Sequence, residues 1–174
     1  LAEGTRDFVE LKQFLGPEFE YGCDSSWKLV DDWKRTDRQN SELVDEFYKT
    51  TEWYIYNLVI WEASGQRPNY LSSVLALLKE FKVESVLDFG AGVGNDTLKF
   101  SEYGFNTFAY EINTRCSDFL KWRSKYRKLS NVEMVTSIAE LPQVDLLWAM
   151  DVVEHLTNPI VSLEPALHKA RIFV

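Results

Sequence analysis

Cysteine is scarce in this chain: 174 residues hold two, Cys23 and Cys116. They lie far apart with no C-x-x-C pair, so the sequence offers neither a zinc site nor a disulfide framework. No apolar run approaches the ~20 residues that span a bilayer. The amino-terminal segment also lacks the pattern of a secretory signal. A cytoplasmic protein without a membrane partner is the expectation; Leu1 in place of an initiator Met reads as a cropped sequence or a piece of a longer protein. Basic residues are outnumbered, 19 Lys and Arg against 27 Asp and Glu, for a net charge of −8. A nucleic-acid partner is disfavoured, because such affinity comes largely from neutralising phosphates. No Gly-Lys-Ser/Thr triplet occurs, which excludes a phosphate-binding P-loop. Internal repeats, low-complexity tracts and linkers are missing too.

The composition that remains, 45% apolar and 14% aromatic, suits a globular protein. Its length supports one domain with a substantial core and a helical extension. The most informative stretch, 85–95, reads Ser-Val-Leu-Asp-Phe-Gly-Ala-Gly-Val-Gly-Asn. An apolar strand delivers Asp88 into a turn where Gly90, Gly92 and Gly94 alternate, and a helix-like segment follows. Glycines admit positive φ and let a ligand approach the backbone closely. Amides at the start of the next helix are expected to face that ligand. A nucleoside-bearing cofactor is therefore implied. The dinucleotide fingerprint G-x-G-x-x-G needs a third glycine at 95, where Asn95 stands. Asp88 would repel a pyrophosphate and suits a ligand carrying positive charge.

Residues 1–39 mix charge with aromatics, including Phe14, Phe19, Tyr21, Trp27 and Trp33. Short helices and loops are expected there, with turns at Gly16-Pro17 and Gly22. Residues 41–63 read as one helix, capped by Asn40 or Ser41 and ended by Gly65. A second amphipathic helix covers 70–81. From Ser85 onward, strands at 85–89, 105–110, 132–135, 144–149 and 171–174 alternate with helices at 95–103, 114–128 and 159–169. Asn158-Pro159 is a good helix start, and Pro165 is expected to break the last helix. The alternation predicts an α/β fold with a parallel sheet covered on both faces. Arg115, Lys121, Arg123, Lys125, Arg127 and Lys128 read as a solvated basic face of the 114–128 helix, its last turn complementing the dipole.

Three segments agree in order and spacing: Val-Leu-Asp-Phe-Gly-Ala-Gly-Val-Gly at 86–94, Glu111 at the end of the second strand, and Met-Asp-Val-Val-Glu-His-Leu-Thr-Asn-Pro at 150–159 after the fourth. Together they resemble the motifs of class I S-adenosylmethionine-dependent methyltransferases, whose cofactor carries an ammonium and a sulfonium and no phosphate. The resemblance covers 70–174. It implies a Rossmann-like parallel sheet of order 3-2-1-4-5, with 70–174 as the cofactor domain and 1–69 as a helical lid. A complete family sheet has order 3-2-1-4-5-7-6, so its last two strands are missing here. An uncovered edge at 171–174 would be a pairing template. A second copy or a partner chain over that edge is expected, or else a truncated or shortened sequence.

The same resemblance distributes the site. Asp88, Gly90, Ala91, Gly92 and Gly94 would surround the methionine part and ribose, while Glu111 would accept hydrogen bonds from the ribose hydroxyls. Ile112 would pack on adenine, and Ser137 with Ile138 would fall near the adenine amino group. Met150 and Asp151 would face the sulfonium end; core packing is the plainer role for Ile112 and Met150. His155 is the one neutral-pH base in the motif region, with Asp151 beside it as the other catalytic candidate. Asp151, Glu154 and His155 also resemble metal-binding sequences in some ubiquinone-pathway and small-RNA 2′-O-methyltransferases. The plainer role of Glu154-His155 is to position the loop. Trp53, Tyr54, Tyr56 and Trp61 form an aromatic group in the lid, suited to a sulfonium or a planar substrate or to packing. Arg67 or one of these tyrosines would meet the methionine carboxylate. The expected activity is methyl transfer to oxygen or nitrogen of a small molecule. The alternatives are a non-enzymatic cofactor-binding scaffold and a metal-assisted RNA 2′-O-methyltransferase.

Overall fold

The computed structural model describes residues 2–20 and 26–174. Tyr21, Gly22 and Cys23 lie outside the described residues. Among the described residues, eight α-helices and five strands follow in the order α1 (Arg6–Leu15), α2 (Ser26–Arg35), α3 (Ser41–Thr50), α4 (Tyr54–Ala63), α5 (Tyr70–Glu80), β1 (Ser85–Phe89), α6 (Asn95–Glu102), β2 (Asn106–Tyr110), α7 (Thr114–Tyr126), β3 (Val132–Val135), β4 (Val144–Trp148), α8 (Pro159–Leu167) and β5 (Ala170–Phe173). Local chemistry explains most helix starts. Asn40, Asn69, Asn113 and Asn158 each accept a backbone N–H from the first turn of α3, α5, α7 and α8.

The five strands pair in parallel in the order β3-β2-β1-β4-β5, as expected. β1 lies centrally, in register with β2 from Ser85↔Asn106 to Phe89↔Tyr110 and with β4 from Val86↔Leu146 to Asp88↔Trp148. Strand alternation sends Val86, Leu146 and Trp148 toward α5 and α6, where they pack with Leu71, Leu78 and Phe100. Leu87 and Leu147 point the other way, onto Leu163 and Ala166 of α8. Both faces are thus covered by helices, as suits central strands that are largely apolar. β4 and β2 flank β1 on opposite sides, so their connections leave in opposite directions. Ligands bind at such switch points, beyond the carboxyl ends of the strands.

Three expectations are corrected. The 41–63 segment is two helices, not one. At Thr51 the backbone turns extended (φ −59°, ψ 128°), and Asn113 Nδ2 donates to both Tyr48 O and Thr51 O at 3.0 Å. A distant side chain satisfies the carbonyls that a continuous helix would have used. α8, in contrast, runs unbroken through Pro165. A single missing N–H is tolerated in nine residues whose Leu163 and Ala166 are anchored in the core. Finally, Arg123 and Arg127 are not on a solvated face. Arg123 is 1% exposed; its Nε donates to Glu10 at 2.8 Å, and it also reaches Asp7. Arg127 binds Glu10 at 2.7 and 2.8 Å. These pairs tie α1 to α7, beside an apolar cluster of Leu11, Leu15, Ile55, Val59 and Phe119.

Candidate active site

A pocket of about 930 Å3, its open mouth included, lies past the carboxyl ends of β1, β2 and β4. The floor is the turn after β1. Gly90, Gly92 and Gly94 all have positive φ (74°, 54° and 83°), a region that side chains rarely adopt. A Cβ on Gly90 would overlap Val152, one on Gly94 would overlap Leu120, and one on Gly92 would meet Leu58 at 2.8 Å. Gly94 also starts α6 in the left-handed conformation.

The turn's amides are largely spent inside the protein. Gly90 N and Ala91 N donate to Tyr110 O at 2.8 and 3.0 Å, and Gly94 N to Ala91 O at 2.8 Å. Gly92 N donates to Glu111 Oε2 at 2.5 Å. This differs from the expected row of ligand-facing amides, and it removes the nest of donors on which a phosphate would settle. The floor instead presents two carboxyls, Asp88 buried and Glu111 half-buried. Asp88 accepts from Thr97 Oγ1 at 2.5 Å; burial, with Asp96 close by, pushes its pKa up to about 7. Glu111 is also shifted upward by burial, against the opposing pull of backbone N–H groups from Asn113, Gly92 and Ile112.

One wall is an ion-pair network that sequence reading missed in part. Arg67 donates to both oxygens of Asp96 at 2.8 and 2.7 Å, and Trp148 Nε1 donates to Asp96 Oδ2 at 2.9 Å. Burial alone would loosen the Arg67 proton; its hydrogen bonds to Asp96 and the nearby Glu62 and Asp151 hold it above the usual arginine range. Arg67 is therefore engaged with Asp96. Asp151 sits at φ 57°, accepts from Tyr70 Oη at 3.2 Å through Oδ1, and has its buried Oδ2 without a hydrogen bond. Asp96 was legible only as an acid in the first turn after Gly94.

The roof comes from α3 and α4. Tyr48, Tyr54, Leu58 and Trp61 line the pocket; Tyr48 and Tyr54 meet edge to face at 5.9 Å. Tyr48 Oη lies 3.0 Å from His155 Nδ1, and Thr157 Oγ1 donates to Asp45 at 3.1 Å. Burial raises the pKa of both tyrosines. Trp53 and Tyr56, grouped with them in the sequence, do not line the pocket; their rings are 6.1 Å apart, and Tyr56 also meets Phe19.

Of the residues singled out in the sequence, Asp88, Gly90, Ala91, Gly92, Glu111, Ile112, Met150, Asp151 and His155 come together around this pocket. Gly94 supports it from beneath, at the start of α6. Ser137 and Ile138 are not among its lining residues: Ser137 precedes the short 3-10 turn Ile138–Glu140, and Ile138 packs on the cluster containing Leu87 and Leu163. Asp151 and His155 turn to different partners, and among the described residues no three His, Cys, Asp or Glu converge as a metal site. Asn113 and Asp45 are further site residues. Asn113 was visible as a helix cap, while its reach to α3 has no local signature.

The sheet order, the switch-point pocket and the acid-flanked glycine turn define a Rossmann-like methyltransferase fold. Residues 63–169 match the family model described as "Methyltransferase domain", and the chain belongs to that family. Among solved structures, the N-terminal domain of EvdMO1, crystallised in the presence of SAH and D-fucose, is 19% identical with a TM-score of 0.53, over 60% of this chain and 48% of that one. An S-adenosylmethionine-dependent methyltransferase from Clostridium acetobutylicum ATCC 824 is 13% identical with a TM-score of 0.55, over 66% of this chain and 52% of that one. The chain thus spans about half the length of these relatives. No curated protein matches it.

Proposed function

We propose that this chain binds S-adenosylmethionine and transfers its methyl group to oxygen or nitrogen of a small molecule, with α1–α4 as the lid. The observation that carries the reading is the pair of acids, buried Asp88 and half-buried Glu111, at the ends of adjacent strands around a glycine floor whose amides are already occupied. Such a floor suits a cationic nucleoside and disfavours a pyrophosphate. Family membership and the SAH present with EvdMO1 support the same cofactor.

When bound, S-adenosylmethionine supplies an electrophilic methyl group on sulfur. The chain's own residues then have three tasks. Asp88 and Glu111 hold the cationic and ribose portions, Ile112 and Met150 offer apolar contact, and Ser137 with Ile138 would approach the adenine edge only after a local shift. Tyr48, Tyr54 and Trp61 shut water away and align the acceptor, and alignment is the larger part of such catalysis. His155 can take the acceptor's proton: with Nδ1–H donated to the Tyr48 oxygen, Nε2 carries the lone pair.

Calorimetry with S-adenosylmethionine, its demethylated product and NAD tests the reading. Binding of both sulfur nucleosides and no binding of NAD is expected; no binding of either sulfur nucleoside would sink it. Binding without turnover of any acceptor would favour a cofactor-binding scaffold.

A further inference from the structure

Five carboxylates line the pocket, Asp45, Asp88, Asp96, Glu111 and Asp151, against one guanidinium, Arg67. The proposed cofactor and the protein account for three of them. Asp88 and Glu111 face the cofactor in the reading above, and Asp96 is matched by Arg67 in a two-point pair. Asp45 and Asp151 remain, with no lysine and no second arginine among the described lining residues. Neither accepts a hydrogen bond from a cation. Asp45 accepts only a neutral hydroxyl, that of Thr157. Asp151 Oδ1 accepts the Tyr70 hydroxyl. Asp151 Oδ2 is buried with no hydrogen bond, and its nearest cation, Arg67, lies 3.6 Å away and is already held by Asp96. Tyr48, Tyr54 and Trp61 line the same pocket. Aromatic faces combined with carboxylates in excess of the lining cations attract a cation and repel an anion.

We infer that the acceptor is a small primary or secondary amine carrying an aryl or similarly apolar body, so that the reaction is N-methylation. This rests on the cofactor reading above. The amine arrives as an ammonium, drawn by Asp45 and Asp151 and packed against the roof aromatics. Before transfer it gives one proton to Asp151 or His155, which exposes the nitrogen lone pair. That lone pair forms the N–C bond to the methyl carbon as the C–S bond breaks. The C–S electron pair stays on sulfur as a neutral thioether, and the product leaves as a methylated ammonium. Carboxylate and phosphate acceptors are turned away by the same field that gathers the amine.

The test compares three probes of similar shape, 2-phenylethylamine, 2-phenylethanol and 3-phenylpropionate, titrated by calorimetry into the chain loaded with S-adenosylhomocysteine. The amine is expected to bind about tenfold more tightly than the alcohol, with the carboxylate weakest. Asp151→Asn and Asp45→Asn should each shrink the amine-to-alcohol ratio, and because an asparagine oxygen can still accept the Thr157 hydroxyl, Asp45→Asn guards against a folding defect as the cause. An alcohol or carboxylate that binds as well as the amine would overturn the inference. So would a ratio that survives both substitutions, or a loaded chain that binds none of the probes. Failure to bind S-adenosylhomocysteine at the outset is a separate result, and it counts against the proposed cofactor instead.

Discussion

The floor of the pocket, Asp88 to Asn95 with Glu111, and its roof, α3 and α4, are held by different kinds of contact. The floor is built from residues close in sequence: a strand, three glycines at positive φ, a helix start and hydrogen bonds to the neighbouring strand's end. The roof depends on partners far along the chain. Tyr48 reaches His155, Asp45 reaches Thr157, and Asn113 takes the carbonyls of Tyr48 and Thr51. Arg123 ties the floor to α1, whose Leu11 and Leu15 pack with Ile55 and Val59 of α4. It binds Glu10 and Asp7 of α1, and it also donates to Val93 O at 2.7 Å and Asn95 Oδ1 at 3.2 Å in the floor. Rigid floors with separately attached roofs are what closing sites require, because the least locally stabilised elements are the ones that open.

Breaking the link is the severest way to disturb that arrangement. Arg123→Leu leaves Glu10 and Asp7 to share Arg127 and strips Val93 O of a donor, a loss of about 3–5 kcal/mol. Urea denaturation should show it, and proteolysis should begin in α1.

Asp88→Asn comes next and acts in the opposite direction. The folded pKa of Asp88, about 7, lies above its unfolded value of 3.8. Its protonation therefore contributes stability that is full below about pH 4 and disappears as pH rises through about 7. The difference between the two values corresponds to up to about 4 kcal/mol. Ligand-free Asp88→Asn should melt higher than the parent at pH 8 and about equally at pH 4, while losing affinity for S-adenosylmethionine. Thermal melts across pH, paired with calorimetry, check both halves.

Gly94→Ala tests the floor alone. A left-handed backbone and overlap with Leu120 should cost about 1–3 kcal/mol. Chemical denaturation reads the loss, and α3 and α4 should remain attached.

Tyr48→Phe is the mildest change. It keeps the ring and removes one hydrogen bond to His155, worth about 0.5–1.5 kcal/mol. Hydrogen exchange should quicken in α3 and leave β1 unchanged. Equal quickening in both would mean that floor and roof open as one unit.

The floor was legible because its constraints are local. A glycine where φ must be positive, an acid at a strand's end and a break in the dinucleotide spacing all occupy fixed offsets, and the sheet order followed from the same pattern. The roof was read with less success for a physical reason. Apolar spacing across 41–63 fits one helix as well as two, and the choice is made at Thr51 by Asn113, 62 residues away. Arg123 and Arg127 obeyed the same rule. A basic helix end looks solvated until Glu10 and Asp7 arrive from the other end of the chain.

The sequence by itself determined the sheet order, the glycine floor, the two acids at its strand ends and the family, because period, turn chemistry and spacing act over a few residues. Only the tertiary structure decided that Arg67 is held by Asp96, that Tyr48 and His155 meet, and that Asp151 keeps an oxygen without a donor. Those outcomes depend on which side chains exclude water from one another. Packing between distant segments sets that, and no short stretch of sequence encodes it.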